Sequence, residues 1–394
     1  IDNTVQVSTT PGLVINQGAN LITAPWIFSD SSWETVLQLQ RPQDFQAYNW
    51  DPQQMGYVLS TSAERGRGTW IVATADFGSR QLGGNPQTPN DISTGAPLIQ
   101  LRSGWNLIGN PYPYAFPLGQ IVGVTGANNQ QSFRWADLVQ QGIVSGFMAY
   151  WDRATQSYKY IQGNEALMQP NTGYWIFVFT TQDFTLSFPP IFEGFLPGSN
   201  RGAGQTQWRQ TDSQYRVQLV ARNNASLDDQ NFVGQAKDAA SAKSLRMLDA
   251  PMGPTQQVNV SIEELVGGKP TRVAQSLSEA KGRKEWKVLV DVKEPGPVTI
   301  TWPNIGTVPK NVRYRIVDMS NNLTRNLRQA SGYTFTASEP GTREFKVIGE
   351  PGTASAAVIG SIVGGGEDRG RDAAPTLNYT PARDATTNAA ILTA

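Results

Sequence analysis

The chain has 394 residues, enough at roughly 100–200 residues per domain for two to four domains, with a formal net charge of zero and only 16% charged residues. It contains no cysteine and no histidine. That excludes disulfides, thiolate and imidazole metal sites, cysteine nucleophiles and Ser–His–Asp catalysis. Carboxylate-pair glycoside hydrolysis and oxygen-ligated calcium survive this filter.

Gly (38) and Pro (25) are frequent and aromatic residues make up 10%, the profile of a turn-rich all-β protein. No apolar run approaches the ~18 residues of a membrane-spanning helix, and no signal peptide is visible. The charge is unevenly spread. Residues 1–200 hold 13 acidic and 8 basic side chains, and residues 201–394 hold 19 and 24. Eight of the 11 Trp precede residue 200, so a boundary falls near 190–210.

In chain order, residues 1–12 carry "NTVQVSTTPG", which resembles "DFTLSFPPIF" at 183–192 and reads as the last strand of an upstream module. Residues 13–85 and 97–190 read as two copies of one β module. "GANLITAPW" (18–26) answers "GWNLIGNPY" (104–112), "AYNWDPQQMGYV" (47–58) answers "AYWDRATQSYKYI" (149–161), and "GTWIVATADF" answers "TGYWIFVFTTQDF". The offset grows from 86 to 102 residues between the first two blocks, which places an insertion in copy two, assigned to 122–142. Gly18 and Gly104 occupy positions that need positive φ or close backbone approach. Trp70 aligns with Trp175, and Trp50 with Trp151; at repeated framework positions these read as core residues.

Trp33 and Trp135 have no evident counterpart in the other copy. With Tyr112 and Tyr114 they are the candidate exposed aromatics for stacking on sugars. Glu34, Asp51, Asp137 and Asp152 are the carboxylates nearest to aromatic residues. Asp51 and Asp152 fall at equivalent positions just after a Trp, where a turn favours Asp.

Residues 191–207 are rich in Gly and Pro and read as a linker. Residues 208–349 hold seven alternating segments, from "YRVQLVA" to "REFKVIG", the pattern of an immunoglobulin-like β-sandwich. The stretch 221–234 reads as a polar loop, with Asp228 and Asp229 as weak calcium candidates that lack EF-hand spacing. Residues 354–394 carry three strand-like pieces of small residues, a partial immunoglobulin-like domain or a strand-exchanging tail.

The order GWNLIGNPY, YWD, GYW resembles a module found, often in tandem, in the C-terminal regions of large secreted modular bacterial surface proteins. The segment 208–349 resembles the β-sandwich that follows it there. "AVIGSIV … PTLNYTPARDATTNAAIL" resembles the start of an immunoglobulin-like domain related to the flagellar hook-capping protein. Copy one departs from the pattern, with Ala19 in place of Trp and Thr69 in place of Tyr. The resemblance implies architecture and location and assigns no functional residue.

The expected fold is therefore all-β, with tandem sandwich or barrel-like modules in an elongated multi-domain chain. The expected function is that of a non-enzymatic, extracellular or cell-surface structural or adhesive protein of a surface layer, filament or appendage, joined by self-association or to other surface proteins. The alternative is a carbohydrate-binding accessory region of a secreted hydrolase, with glycans as partners. Cofactors are not expected, calcium being the one possibility. The mixed-sign charge gives no basic stripe for nucleic acid.

Overall fold

A computed structural model of the chain describes residues 12–89, 95–125, 131–182, 184–190, 214–279 and 282–351, together with the backbone of 382–383 and 390–391. The first body contains β1 (Gly12–Ile15), β2 (Gly18–Ile22), α1 (Trp33–Leu37), β3 (Phe45–Asp51), β4 (Gly56–Leu59), β5 (Thr69–Ala73) and β6 (Gly78–Gln81). The second contains β7 (Leu98–Leu101), β8 (Gly104–Gly109), β9 (Phe116–Pro117), β10 (Val122–Thr125), β11 (Gln131–Arg134) and α2 (Trp135–Gln140). It continues with β12 (Phe147–Asp152), β13 (Ser157–Gln162), β14 (Leu167–Met168), β15 (Gly173–Val178) and β16 (Phe184–Ser187).

The main sheets of the two bodies have the same order, β2-β5-β3-β4 and β8-β15-β12-β13. The antiparallel pairs β1–β6 and β7–β16 also correspond. In the first body Leu13, Ile15, Trp26, Trp33, Phe45 and Ile71 fill the space between the sheets. In the second, Ile108, Phe116, Trp135, Met148, Tyr174 and Phe188 fill it. Each body is a small two-layer sandwich, the arrangement that buries one face of each sheet.

The repeat depends on a local device. Gly18 and Gly104 take φ of 86° and 89°, which a residue with a Cβ adopts only at a cost. Two residues on, Asn20 and Asn106 are buried and turn back on the chain. Asn20 Oδ1 accepts from Asn16 N at 3.0 Å, and its Nδ2 donates to Asn16 O at 2.7 Å and Gly18 O at 3.0 Å. Asn106 makes the same three bonds, to Arg102 N (2.9 Å), Arg102 O (2.7 Å) and Gly104 O (3.0 Å). Each Asn satisfies the backbone of the turn between two strands, so the G-x-N spelling recurs wherever that turn does.

The insertion of copy two lies earlier than the sequence reading placed it. Trp33 and Trp135 each begin the short helix that precedes β3 or β12. They are therefore equivalent, and α2 belongs to the shared framework. The added material precedes it and supplies β9, β10 and β11; β10 and β11 widen the small sheet to the order β11-β10-β16-β7.

The third body contains β17 (Tyr215–Arg222), β18 (Leu227–Gln235), α3 (Ala239–Ser244), β19 (Met247–Leu248), β20 (Val258–Val266), β21 (Lys269–Ser278) and β22 (Lys284–Val292). It closes with β23 (Gly296–Thr301), β24 (Val312–Asp318), β25 (Leu323–Asn326), β26 (Gly332–Ala337) and β27 (Gly341–Pro351). All seven expected strands are present, within one nearly closed, barrel-like sheet of order β25-β24-β27-β22-β20-β21-β18-β17-β23-β26, with β19 beside β21. Alternating Val, Ile and aromatic side chains fill its interior. The buried Asp318 spans the seam between the sheet's ends: it takes the Tyr333 hydroxyl at 2.6 Å and Arg343 Nη2 at 2.6 Å.

The stretch 221–234, expected as a loop, is instead largely strand, because β17 ends at Arg222 and β18 starts at Leu227. β18 pairs antiparallel with β17 and parallel with β21. The helix of this body is α3, capped by Asp238 Oδ1 on Ser241 N at 2.7 Å.

Residues 353–394 form a separate unit. Within it β28 (Ala382–Arg383) and β29 (Ala390–Ile391) pair antiparallel. The expected strand at 1–12, apart from Gly12, the linker at 191–207 and most of the three expected C-terminal pieces lie outside the described residues. No helix among the described residues is long and apolar enough to cross a membrane.

Candidate functional site

The four repeated Trp meet where the main sheets of the two sandwiches pack face to face. Trp50 of the first copy lies edge-on to Trp175 of the second, with centroids 5.1 Å apart at 84°. Trp151 of the second meets Trp70 of the first at 5.3 Å and 73°. Trp50 and Trp151 are equivalent, as are Trp70 and Trp175, so the contact is reciprocal, as across a two-fold axis. Tyr57 and Tyr158 repeat the relation against Trp50 and Trp151, at 5.3 and 5.0 Å. Edge-to-face pairs of this kind each contribute roughly 0.5–1.5 kcal/mol beyond area burial.

Glycines allow the sheets to approach. A Cβ on Gly68 would lie 2.7 Å from Ile108 O and 2.9 Å from Leu107 Cγ. A Cβ on Gly173, its equivalent, would lie 2.8 Å from Leu21 Cδ1 and 3.2 Å from Ile22 O. This explains the Gly that opens both "GTW" and "GYW".

The third body enters the same junction through residues 250–253. Ala250 packs into the aromatic cluster. The Tyr57 hydroxyl donates to Met252 O at 2.8 Å and that of Tyr158 to Pro251 O at 2.6 Å. Burial pushes both phenols well above their ordinary range. The Trp-for-Ala difference between copies has its reason here: Trp105, with Phe177, packs against the core of the third body, whereas Ala19 is buried beneath the hairpin of copy two. There Gln156 bonds both Ala19 N and Ala19 O at 3.2 Å.

Beside this junction two carboxylates share one region. Asp228 is buried; its Oδ2 accepts from Val260 N at 2.6 Å, and burial pushes its carboxyl up to about 6. Asp249, which immediately precedes the inserted segment, is raised by burial and by Asp228, and takes Asn259 Nδ2 at 2.8 Å. Asp229 faces away and pairs with Lys159 Nζ at 3.0 Å, tying β18 to β13. Consecutive strand residues point to opposite faces, so Asp228 and Asp229 do not converge on one ion as the calcium expectation required. Among the described residues no group of three or more Asp, Glu, His or Cys is placed to hold a metal ion.

The candidate sugar platforms are placed inward. Trp33 and Trp135 are each 1% exposed, and Tyr112 is 4% exposed. Trp33 Nε1 donates to Ser60 Oγ at 3.0 Å and Tyr112 Oη to Phe188 O at 2.6 Å. Tyr114 is half-buried and stacks on Tyr112 at 4.8 Å. The expectation of exposed stacking faces therefore fails for Trp33, Trp135 and Tyr112. In a small sandwich a Trp at the start of a helix covers the gap between the sheets.

The candidate carboxylates are engaged locally. Asp51 Oδ1 accepts from Gln53 N at 2.8 Å, and Asp152 takes Ala154 N at 3.0 Å and Thr155 Oγ1 at 2.8 Å, both as turn residues. Glu34 pairs with Arg41 at 3.1 Å, and Asp137 lies in the first turn of α2.

One surface feature was not visible in the sequence. A groove of about 560 Å³ runs between the β3–β4 hairpin and β7, lined by Trp50, Val58, Arg65, Arg67, Ile99 and Arg102 among others. Both β4 and β7 are the last strands of their sheets. The bond from Ser60 N to Ala47 O sets the pairing alternation, so the backbone groups of Tyr57 and Leu59 point away from β3. The bond from Phe188 N to Pro97 O likewise points those of Leu98 and Gln100 away from β16. Leu59 is 64% exposed and Leu98 56%.

No family model, curated protein or solved structure matches the chain.

Proposed function

We propose that this is a non-enzymatic structural protein of the cell exterior, a rigid β-module unit that builds a surface layer, filament or appendage. The observation that carries this reading is the use made of the aromatic residues. Trp50, Trp70, Trp151 and Trp175 lock two sandwiches together, and Tyr57 and Tyr158 bolt the third body onto them. Such interlocking resists relative motion of the bodies, which suits a unit that transmits force. Among the described residues β4 and β7 are the last strands of their sheets, and such edges offer main-chain hydrogen bonds to a neighbour. Turn and framework roles account for the carboxylates Asp51 and Asp152.

Sedimentation of the native chain, with imaging of the particles, tests the reading. A regular assembly whose size grows with concentration supports it. A monomer that is retained on a glycan array would instead support a carbohydrate-binding region.

A further inference from the structure

We propose that the joint between the third body and the two sandwiches is a pH-sensitive latch, in which neutral Asp228 and Asp249 keep residues 250–253 seated and their ionisation lets that segment go. The inference goes beyond the structural reading and stands or falls independently of it.

The geometry of the joint leads to it. Tyr57 and Tyr158 close on Met252 and Pro251, and Gly253 lies against Trp70, where a Cβ would come 3.3 Å from Cη2. A relay of side chains ties this segment back to Asp249. Gly253 N donates to Gln256 Oε1 at 3.1 Å, Gln256 Nε2 to Asn259 Oδ1 at 3.3 Å, and Asn259 Nδ2 to Asp249 Oδ2 at 2.8 Å. Gln256 and Asn259 are buried, so a bond lost from the relay leaves a polar group without water to replace it. Asp228 is buried too, and takes the amide of Val260, the residue after Asn259.

The charged groups around the two carboxylates are engaged elsewhere. From the second sandwich, β13 brings Tyr158 and Tyr160, phenols raised by burial; Tyr160 is raised further by Asp249 and Asp228, so it lies in the field of both. Asp229 of β18 pairs with Lys159 of β13 at 3.0 Å. Arg272 of β21 is bonded to Asp291 of β22, Nη2 to Oδ1 at 3.2 Å. Lys293 Nζ donates to Gly253 O at 3.3 Å, on the segment itself. Two carboxylates that share one low-dielectric region repel when both ionise, and each pays for its desolvation.

The direction of the switch follows. With the joint closed, burial pushes the Asp228 carboxyl up to about 6, and Asp249 is raised by burial and by Asp228. An opening that returns Asp228 to water restores the ordinary value near ~4. The closed joint is therefore favoured in acid, weakens as pH rises through about 6 and is level above about 7. Between pH 5 and pH 8 the ratio of open to closed rises about tenfold from Asp228 alone, and Asp249 adds a change of the same sign.

Hydrogen–deuterium exchange of the full chain, read by mass spectrometry at pH 5 and pH 8 against intrinsic exchange rates, tests the latch. The amides of Gly253 and Gln256, bonded to Gln256 Oε1 and Gly253 O at 3.1 Å each, report on the segment, and those of β27 report on the whole fold. The expected result is protection of Gly253 and Gln256 that falls about tenfold or more from pH 5 to pH 8 and lies below that of β27 at pH 8. Asp228→Asn combined with Asp249→Asn should abolish the fall; if the double variant fails a circular dichroism check, each single variant should lessen it. Segment protection that does not change with pH overturns the inference. So does equal protection of the segment and β27 at pH 8, which would place the loss in the whole fold rather than in the joint, and so does a fall of undiminished size in the folded variants. Sedimentation of the native chain remains the separate test of the structural reading.

Discussion

Tyr57 and Tyr158 occupy the same position in two copies of one module, and they donate to the carbonyls of two successive residues, Met252 and Pro251, at 2.8 and 2.6 Å. A segment without internal symmetry thus reads both halves of a nearly symmetric pair. The neighbouring Trp pair shows where symmetry ends: Trp50 Nε1 of the first copy donates to Trp105 O at 2.8 Å, whereas its equivalent, Trp151 Nε1, makes no hydrogen bond among the described residues.

Replacing these hydroxyls tests how the third body is held. Tyr57→Phe leaves the Met252 carbonyl without its donor and should cost about 1–2 kcal/mol. Tyr158→Phe also strands Trp175 Nε1 and should cost about 2–3 kcal/mol. Urea unfolding at constant slope measures both.

Gly68→Ala and Gly173→Ala test the close approach of the two sheets. Each new methyl meets atoms of the opposite copy below 3.0 Å, including the Ile108 carbonyl at Gly68. Overpacking of this kind costs roughly 1–3 kcal/mol. Gly306→Ala, where a Cβ meets nothing within 4 Å, should stay within about 0.5 kcal/mol. Thermal unfolding of the three variants distinguishes packing from a general glycine effect.

Asn20→Ala and Asn106→Ala should destabilise by similar amounts, about 2–3 kcal/mol each, because each strands the same set of turn groups. Asn20 has the larger expected cost, since its Nδ2 also reaches Ile71 O at 3.3 Å. Unequal values in the other order would show that the turn is not what the asparagine serves.

Asp228 sets a pH dependence of defined sign. Its folded carboxyl titrates near 6, above the ordinary 3.8, so the folded state holds its proton longer than the unfolded one. Stability from this group is therefore full below about pH 4, falls as pH rises through 6, and is level above about 7. The loss is on the order of 3 kcal/mol, and less where the Val260 amide and local relaxation soften the charge. Asp249, raised for the same reason, adds a loss of the same sign, and Asp229, Tyr160 and Arg272 share the field. Asp228→Asn should flatten the stability profile between pH 4 and 7; an unchanged slope would assign it to Asp249.

The strands of both sandwiches were legible because their residues alternate and their spellings recur, and the repeated Trp read correctly as framework. β18 was not legible. Its "LDDQN" start has the composition of a loop, and only the Val260 amide on a neighbouring strand makes a buried Asp228 acceptable there. The equivalence of Trp33 and Trp135 was hidden because the insertion lies just before the helix and breaks the alignment at that point. The inward placement of Trp33 and Tyr112 depends on partners, Ser60 and Phe188, that lie 27 and 76 residues away.

By itself the sequence determined what is local and periodic: an all-β chain, a module written twice, a left-handed glycine followed by an asparagine that clamps the turn. These depend on backbone sterics and on groups within a few residues of one another. The tertiary structure decided which faces meet. Whether a Trp packs against its duplicate or faces water, and whether a sheet edge is covered or open, depends on surfaces brought together from distant parts of the chain. Only that assembly made the edge of β13 an internal contact while β4 remains the last described strand of its sheet.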